Sequence, residues 1–396
     1  MNFALSDEQE FLREAARGAL SRFKTIEEAR RALEGEAATD LWPAAVQAGW
    51  PGLLVREDHG GAGLGPMDAM LVFEELGRVL TSVPLLGHVP ASFLLDAGAS
   101  ADVVAPFASG DRRATIVAAQ PPSDIEPGWT VEPRMGLRRL PAPAIGPDGS
   151  VTGSVAWVPD APGADALVVI GADGRAAVVE AADAQIEALW RYDATRTLGH
   201  ITFDEAPGYV LDLREGDAAT AWYLAQSFIA AESLGVSDLA LQTSVQYAKE
   251  RFTFGRAIGS YQAIKHQLTE ILRLADNARS LMYYAGWTGE GPADPIPASP
   301  RAPGEFPLAA SAFRLAAGKA IEFATRAQIN VHGGIGATWE HDAPLFFRRA
   351  QLSRRLLGGT AGAADRVAGE LFATAQSEMT AVSPAGPMLE AGATLV

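Results

Sequence analysis

The chain reads as a multi-domain α+β protein, helical at both ends with a small β domain between. Three observations predict this. Its 396 residues, 48% of them hydrophobic, suffice for two or three domains with a sizeable core. Apolar residues recur at helical spacing from residue 5 to about 110 and again from 215 to about 375. Between those stretches, from 111 to about 212, short β-type runs are punctuated by Pro and Gly.

The elements follow in order. Ser6 is placed to cap the first helix, with Gln9 as its capping-box partner, and Phe11, Leu12, Ala15, Ala16 and Leu20 supply the apolar stripe. Gly60, Gly61 and Gly63 mark a loop between helices; no Lys-Ser/Thr follows, so it is not a phosphate loop. Strands are predicted at 114–118, 151–155, 166–170, 176–179 and 200–203, as a barrel-like sheet. Gly286 to Pro307 reads as a Gly/Pro-rich linker, and the chain from Glu378 as a poorly ordered tail. The expected domains are 1–110, 111–212 and 213–377, followed by a tail at 378–396.

Composition narrows the function classes. The net charge of −16 argues against nucleic-acid binding, which needs clustered Lys and Arg. Lys24, Lys249, Lys265 and Lys319 are the only lysines, so an acidic ligand would have to be met by local arginines. There is no cysteine, hence no disulfide and no thiolate metal site. No uncharged apolar run approaches the roughly eighteen residues of a membrane span. The first residues lack the basic and apolar regions of a secretory signal. A cytoplasmic protein is expected, and the Ala, Gly, Arg and Asp bias fits a high-GC bacterial genome.

The most informative segment is 247–266, where an apolar helical run leads into Arg251, Phe254, Gly255 and Gln262. A guanidinium pairs bidentately with phosphate. Glycines let backbone N–H groups approach an anion, and an amide and an aromatic face can hold a purine. Similar functions return at Gln328, His332, Gly333, Gly334 and Gly336. Together these look like the holder of a dinucleotide. The plainer readings are a helix-terminal ion pair for Arg251, surface amides for Gln262 and Gln328, and a helix cap for the paired glycines. His332, His341 and Asp342 lack the spacing and further ligands of a metal site, so none is expected.

In this order the segments resemble the acyl-CoA dehydrogenase family, and the resemblance runs over nearly the whole chain. Phe3 to Gln9, Gly52 to Leu64, Glu74 to Arg78 and Gln328 to Gly336 all match, the last most specifically. The resemblance implies the acyl-CoA dehydrogenase fold: an N-terminal helical domain, a middle β-barrel-like domain and a C-terminal four-helix bundle. It implies FAD as cofactor and α,β-dehydrogenation of an acyl-CoA thioester, with electron-transfer flavoprotein as acceptor. In such an enzyme a carboxylate takes the α-proton and the flavin takes the hydride. The implied cofactor contacts here are Arg251, Phe254, Gln262, Gln328, Gly333, Gly334 and Thr360.

The resemblance breaks at the base. Most members carry a glutamate directly before a Gly-Thr pair; here that position falls on Gly358, or on Leu357 with another gap, and no Asp or Glu lies between Asp342 and Asp365. A second family position falls on Ala225. Glu232, seven residues on and on about the same helical face, is a weak candidate for a displaced base; the alternative is a carboxylate satisfied by a neighbouring helix. The usual flavin-facing Thr-Glu-Pro and Gly-Ser-Asp stretch is replaced by Ala119 to Pro127. Trp157 resembles the tryptophan that lies against the flavin, and could equally be a core residue. Asp193-Ala194-Thr195-Arg196 resembles a structural turn holding the β domain together.

Residues for the phosphate and adenine end are thus kept, while those for the flavin end and proton transfer are lost. Because one FAD is typically shared between two subunits in this family, such a chain resembles the base-lacking partner of the α2β2 steroid side-chain dehydrogenases. Thr338-Trp339-Glu340-His341-Asp342 resembles that group as well. The alternatives are a self-sufficient homotetramer or homodimer with a displaced base, and a non-enzymatic assembly scaffold.

Overall fold

The computed structural model describes residues 4–36, 39–118, 141–189, 193–289 and 305–381. Six helices open it: α1 (Asp7–Leu20), α2 (Thr25–Leu33), α3 (Trp42–Gln47), α4 (Pro66–Arg78), α5 (Leu85–Gly98) and α6 (Ala101–Ala108). The capping box at the start of α1 forms as expected: Gln9 N–H donates to Ser6 Oγ at 3.2 Å, and Ser6 N–H to Gln9 Oε1 at 3.1 Å.

Among the described residues eight strands follow: β1 (Ala114–Ala118), β2 (Ala144–Ile145), β3 (Val151–Pro159), β4 (Ala166–Ile170), β5 (Ala176–Glu180), β6 (Gln185–Ala188), β7 (Leu198–Ala206) and β8 (Gly208–Val210). They form two four-stranded sheets, β1-β4-β5-β8 and β2-β3-β7-β6, and do not close into the expected barrel. Alternation along β4 explains how the first sheet is held. Ala166, Val168 and Ile170 face the helices, while Leu167 and Val169 join Val155, Ile201 and Phe203 between the sheets. With both faces of β4 buried, the sheet is sandwiched between a helical layer and the second sheet.

The C-terminal part holds α7 (Asp217–Glu250), the hairpin strands β9 (Phe252–Thr253) and β10 (Arg256–Ala257), then α8 (Gln262–Gly289), α9 (Glu305–His332), α10 (Ala343–Ser353) and α11 (Gly359–Ala381). Helix α9 is central, packing on α7, α8, α10 and α11, and α4 packs on α7 and α8. The crossing of α4 and α7 is unusually close. A Cβ on Gly77 would lie 2.1 Å from the Glu232 carbonyl oxygen, and one on Gly235 would lie 1.9 Å from that of Glu74. Two glycines therefore let the backbones touch.

Two boundaries differ from expectation. The linker at 286–307 is shorter than its composition suggests. Helix α8 continues to Gly289 because Gly286 fits against Met67 and Thr288 is buried. Helix α9 already begins at Glu305, with Pro307 in the first turn, where a missing N–H is tolerated. Helix α11 runs past Glu378 to Ala381, the last described residue. Residues 119–127, where the flavin-facing motif is replaced, lie outside the described residues.

Two buried titratable groups lie where α5 packs on the sheets. His88 accepts the Ala114 N–H at Nδ1 (3.0 Å) and lies 3.1 Å through Nε2 from the Phe107 carbonyl. Burial pushes its pKa down to about 4. The Asp160 carboxylate accepts the Gly87 N–H at 2.9 Å, and burial pushes its pKa up to about 6. The two act in opposite directions. Below its ordinary value of 6.5, His88 is protonated in the unfolded chain but not in the folded one, so stability falls with pH down to about 4. Asp160 is protonated in the folded chain from about 6, well above its ordinary 3.8, so stability rises as pH falls through the same window. Asp160→Asn removes only the second effect. Its melting temperature is expected to drop more steeply than the wild type's between about pH 6 and about pH 4, measured by thermal scans across that range.

Candidate functional site

Helices α7 and α9 end side by side. The Tyr247 and His332 rings lie 4.4 Å apart, and Gln328 Nε2 donates to Thr243 Oγ1 at 2.9 Å. Helix α7 stops at Arg251, whose extended backbone (ψ 123°) starts a tight hairpin. The Phe254–Gly255 turn has positive φ at both residues, 49° and 76°, which is the two-residue turn that suits hairpin twist. Phenylalanine is a poor occupant of that conformation, and its ring is 94% exposed. The hairpin is braced when Ile258 N–H returns to the Arg251 carbonyl at 2.7 Å and Arg256 stacks 4.0 Å over the Tyr261 ring. Helix α8 then starts at Gln262, which is exposed.

Several groups at this end are left without partners among the described residues. The Arg251 side chain is exposed and makes no hydrogen bond or ion pair with any other described residue. Gln328 is buried, and its Oε1 has no partner. Gly333 has φ +66°, whereas Gly334 has no such requirement, and a Cβ at either would meet open space. Among the described residues nothing calls for glycine at 334. An exposed cation and uncovered backbone at one end can together receive an anionic ligand.

The other expected site residues lie elsewhere. Thr360 packs its methyl into the space left by Gly318, near the start of α11. Leu357, Gly358 and Gly359 all have positive φ, at 49°, 84° and 70°. Gln226 donates to the Leu357 carbonyl, and Arg314 donates to the Ser353 and Leu356 carbonyls. Arg314 is fully buried, and burial followed by the nearby Arg196 pushes its pKa down to about 9. From Gln226 to Arg251 is 25 residues of α7, about 37 Å, so Thr360 and Arg251 serve opposite ends of that helix.

Glu232 lies between these ends and is held by two guanidiniums. Arg196 donates to Oε2, and Arg349 Nη1 is 3.7 Å from the same oxygen. Arg349 also donates through Nε to Asp193 Oδ2 at 2.9 Å and through Nη2 to the carbonyls of Thr195 (2.8 Å) and Thr81 (2.9 Å). The Asp193–Arg196 turn is closed by Thr195 N–H donating to Asp193 Oδ1 and also ties the sheets to the helices. Trp157 is not a core residue: at a bulge in β3 with φ +64°, its ring is 39% exposed and meets the edge of His200 at 5.2 Å. The His332 and His341 rings lie 4.1 Å apart, tilted by 48°. Sequence reasoning overlooked Gln226, Arg314 and Arg349. The available signal was a charge at a core position of helical spacing, as in Ala310, Arg314, Ala317 and Ile321.

Comparison with known proteins follows the same outline. Residues 6–100 match the acyl-CoA dehydrogenase N-terminal domain, and residues 224–371 match its C-terminal domain. The chain is 31% identical over 354 residues to acyl-CoA dehydrogenase IpdE2 of Mycobacterium tuberculosis, covering 89% of this chain and 93% of that protein. IpdE2 of Mycolicibacterium smegmatis is 29% identical over 372 residues, covering 93% and 100%. Among solved structures, the ChsE4-ChsE5 complex from Mycobacterium tuberculosis matches with a TM-score of 0.77 at 25% identity, covering 97% of this chain and 100% of that one. The Tcur3481-Tcur3483 steroid ACAD matches with a TM-score of 0.78 at 26% identity, covering 94% and 99%. The chain belongs to the acyl-CoA dehydrogenase family, FAD-dependent oxidoreductases that act on CH–CH groups. Among the described residues no helix is long and apolar enough to cross a membrane.

The buried cluster yields a stability prediction. Glu232→Gln keeps the shape but leaves Arg196 buried without the carboxylate it pairs with. Unfolding free energy should fall by about 3 kcal/mol, read as a lower urea midpoint at unchanged slope.

Proposed function

We propose that this chain is the base-lacking subunit of an FAD-dependent acyl-CoA dehydrogenase. It pairs as α2β2 with a paralogue that carries the glutamate. The observation that carries this reading is the contrast between the two ends of α7. At one end Arg251, Gln328 Oε1, Gly333 and Gly334 are left unused by the chain. At the other, the loop of the family base holds Leu357 and Gly358 and no carboxylate, and its carbonyls are taken up by Gln226 and Arg314.

The unused groups fit the phosphate and adenine end of FAD. Arg251 offers a fork to the pyrophosphate, and the Gly333–Gly334 backbone can approach an anion closely. Gln262 and Gln328 offer amide groups to the adenine, and Phe254 offers an aromatic face. Thr360, packed against Gly318, would contact the cofactor only from the opposite end of α7. Bound FAD supplies the hydride acceptor of the dehydrogenation. The chain's own residues bind and orient, and the proton is taken by the partner's carboxylate.

Glu232 as a displaced base gains no support, because two guanidiniums hold its carboxylate inside the fold. Without a base, a self-sufficient homotetramer or homodimer loses its motive. A pure scaffold would have no use for an unpaired Arg251. Similarity to the Tcur3481-Tcur3483 steroid ACAD supports a bulky acyl-CoA, such as one bearing a steroid side chain, by analogy. Electron-transfer flavoprotein is the expected acceptor, and the cytoplasm the expected location.

The deciding experiment purifies the chain alone and with an adjacent paralogue and measures flavin per chain. Little FAD is expected alone, and one FAD per pair of unlike chains together; one FAD per chain in a stable homotetramer would sink the heteromer. Within the assembly, Arg251→Ala should weaken FAD binding by about 2–4 kcal/mol. Arg251→Lys should recover only part, since a point charge cannot replace the fork. Unchanged flavin content in Arg251→Ala would remove the role.

A further inference from the structure

Helix α10 starts without the side-chain cap its sequence offers. Asp342 stands at the cap position, but its carboxylate is drawn to Arg30 of α2. The first helical N–H, at Ala343, donates instead to Nδ1 of His341 at 3.0 Å. Pro344 has no N–H to offer, and the Leu345 N–H closes on the Asp342 carbonyl at 2.9 Å. The Nδ1 lone pair of His341 is therefore in use, which places the ring proton on Nε2 and keeps the ring neutral.

The same ring supports its neighbour. His341 lies 4.1 Å from the ring of His332, whose other contact is Tyr247 at 4.4 Å. His332 Nδ1 is 2.7 Å from the Gln328 carbonyl, so that nitrogen carries the proton. Gly333 opens the turn directly after this histidine. At Gly336 the turn folds back so tightly that a Cβ would meet His332 Cβ at 2.7 Å. The turn that presents Gly333 and Gly334 thus rests on His332, and His332 rests on His341.

We propose that His341 is a positioning residue for the cofactor: neutral, it caps α10 and holds the Gly333–Gly334 turn in its receiving shape; protonated, it lets the turn go. The inference rests on the assignment of that turn to FAD above. Protonation takes the lone pair from Ala343 and sets a cation at a helix N-terminus, where the dipole is already positive. It also sets that cation against a second imidazole. The charged groups facing His341 are Arg30 of α2, which opposes protonation, and Asp342, which favours it but is already paired with Arg30. Glu340 on the same turn is exposed, and Arg348 of α10 lies over the Trp339 ring. Burial, then the neighbouring His332, holds the His341 pKa below its ordinary value of 6.5. The ring is neutral near pH 7, and the change falls on the acid side.

Two measurements test this on the full chain. In the FAD-loaded assembly, flavin release is followed by fluorescence from about pH 7.5 to about pH 5. In the same chain without FAD, hydrogen exchange of residues 333–343 is followed over that range, corrected for the intrinsic rate. Both should rise together as pH falls, with FAD affinity lost by up to about tenfold per pH unit. His341→Asn, which can accept the Ala343 N–H but does not titrate, should flatten both profiles; His341→Gln serves as a second such variant. Corrected exchange that ignores pH in the wild-type chain overturns the proposal. So does a profile that survives in His341→Asn, or a turn that opens while FAD release stays independent of pH. Failure of the underlying FAD assignment shows separately, as full flavin content in Arg251→Ala at neutral pH.

Discussion

Arg349 is 1% exposed and binds three parts of the chain at once. It holds Asp193 and Thr195 from the turn before β7 and the Thr81 carbonyl from the segment after α4, and it approaches Glu232 of α7. Arg196 closes the cluster by donating to the same Glu232. Burying these charges is tolerable only while all of them are present, since a lone buried ion costs several kcal/mol. Such a cluster adds little net stability, but it penalises any arrangement in which helices and sheets meet differently. The relative placement of the N-terminal helices, the sheets and the C-terminal helices depends on it.

Much of the fold was legible because it is local. The Ser6–Gln9 capping box, the runs that became β1, β4 and β5, and the change of period between helices and strands all depend on residues close in sequence. The strands β2, β6 and β8 gave no signal of their own, being two to four residues long and half exposed. Closure into a barrel could not be read either, since it depends on how the edge strands meet. The motif around Arg251 was legible because its residues are not explained by local structure: a phenylalanine stands in a turn that favours Asn, and a Cβ at Gly334 would meet open space.

The buried pairs were illegible for the opposite reason. Arg314 and Ser353 are 39 residues apart, Arg349 and Asp193 are 156 apart, and Arg349 and Thr81 are 268 apart. Each partner alone looks like an ordinary polar residue. Glu232 illustrates the cost: on sequence it was a carboxylate in search of a role, and two arginines from other parts of the chain supplied one. Gly358 shows the converse. Its lack of a carboxylate was plain from the sequence, but the clasp of Gln226 and Arg314 on the same loop required coordinates.

Helix α7 is a single rod of 34 residues, about 51 Å long, and it carries the clasp at Gln226, the charge cluster at Glu232, the backbone contact at Gly235, the tie at Thr243 and the exit at Arg251. All are fixed by one helical register. One residue inserted between the first and the last would turn the far end by about 100° and push it about 1.5 Å along. The contacts along α7 between Gln226 and Arg251 therefore make that stretch a ruler, and a change in its length would break the register that a change in a loop leaves untouched.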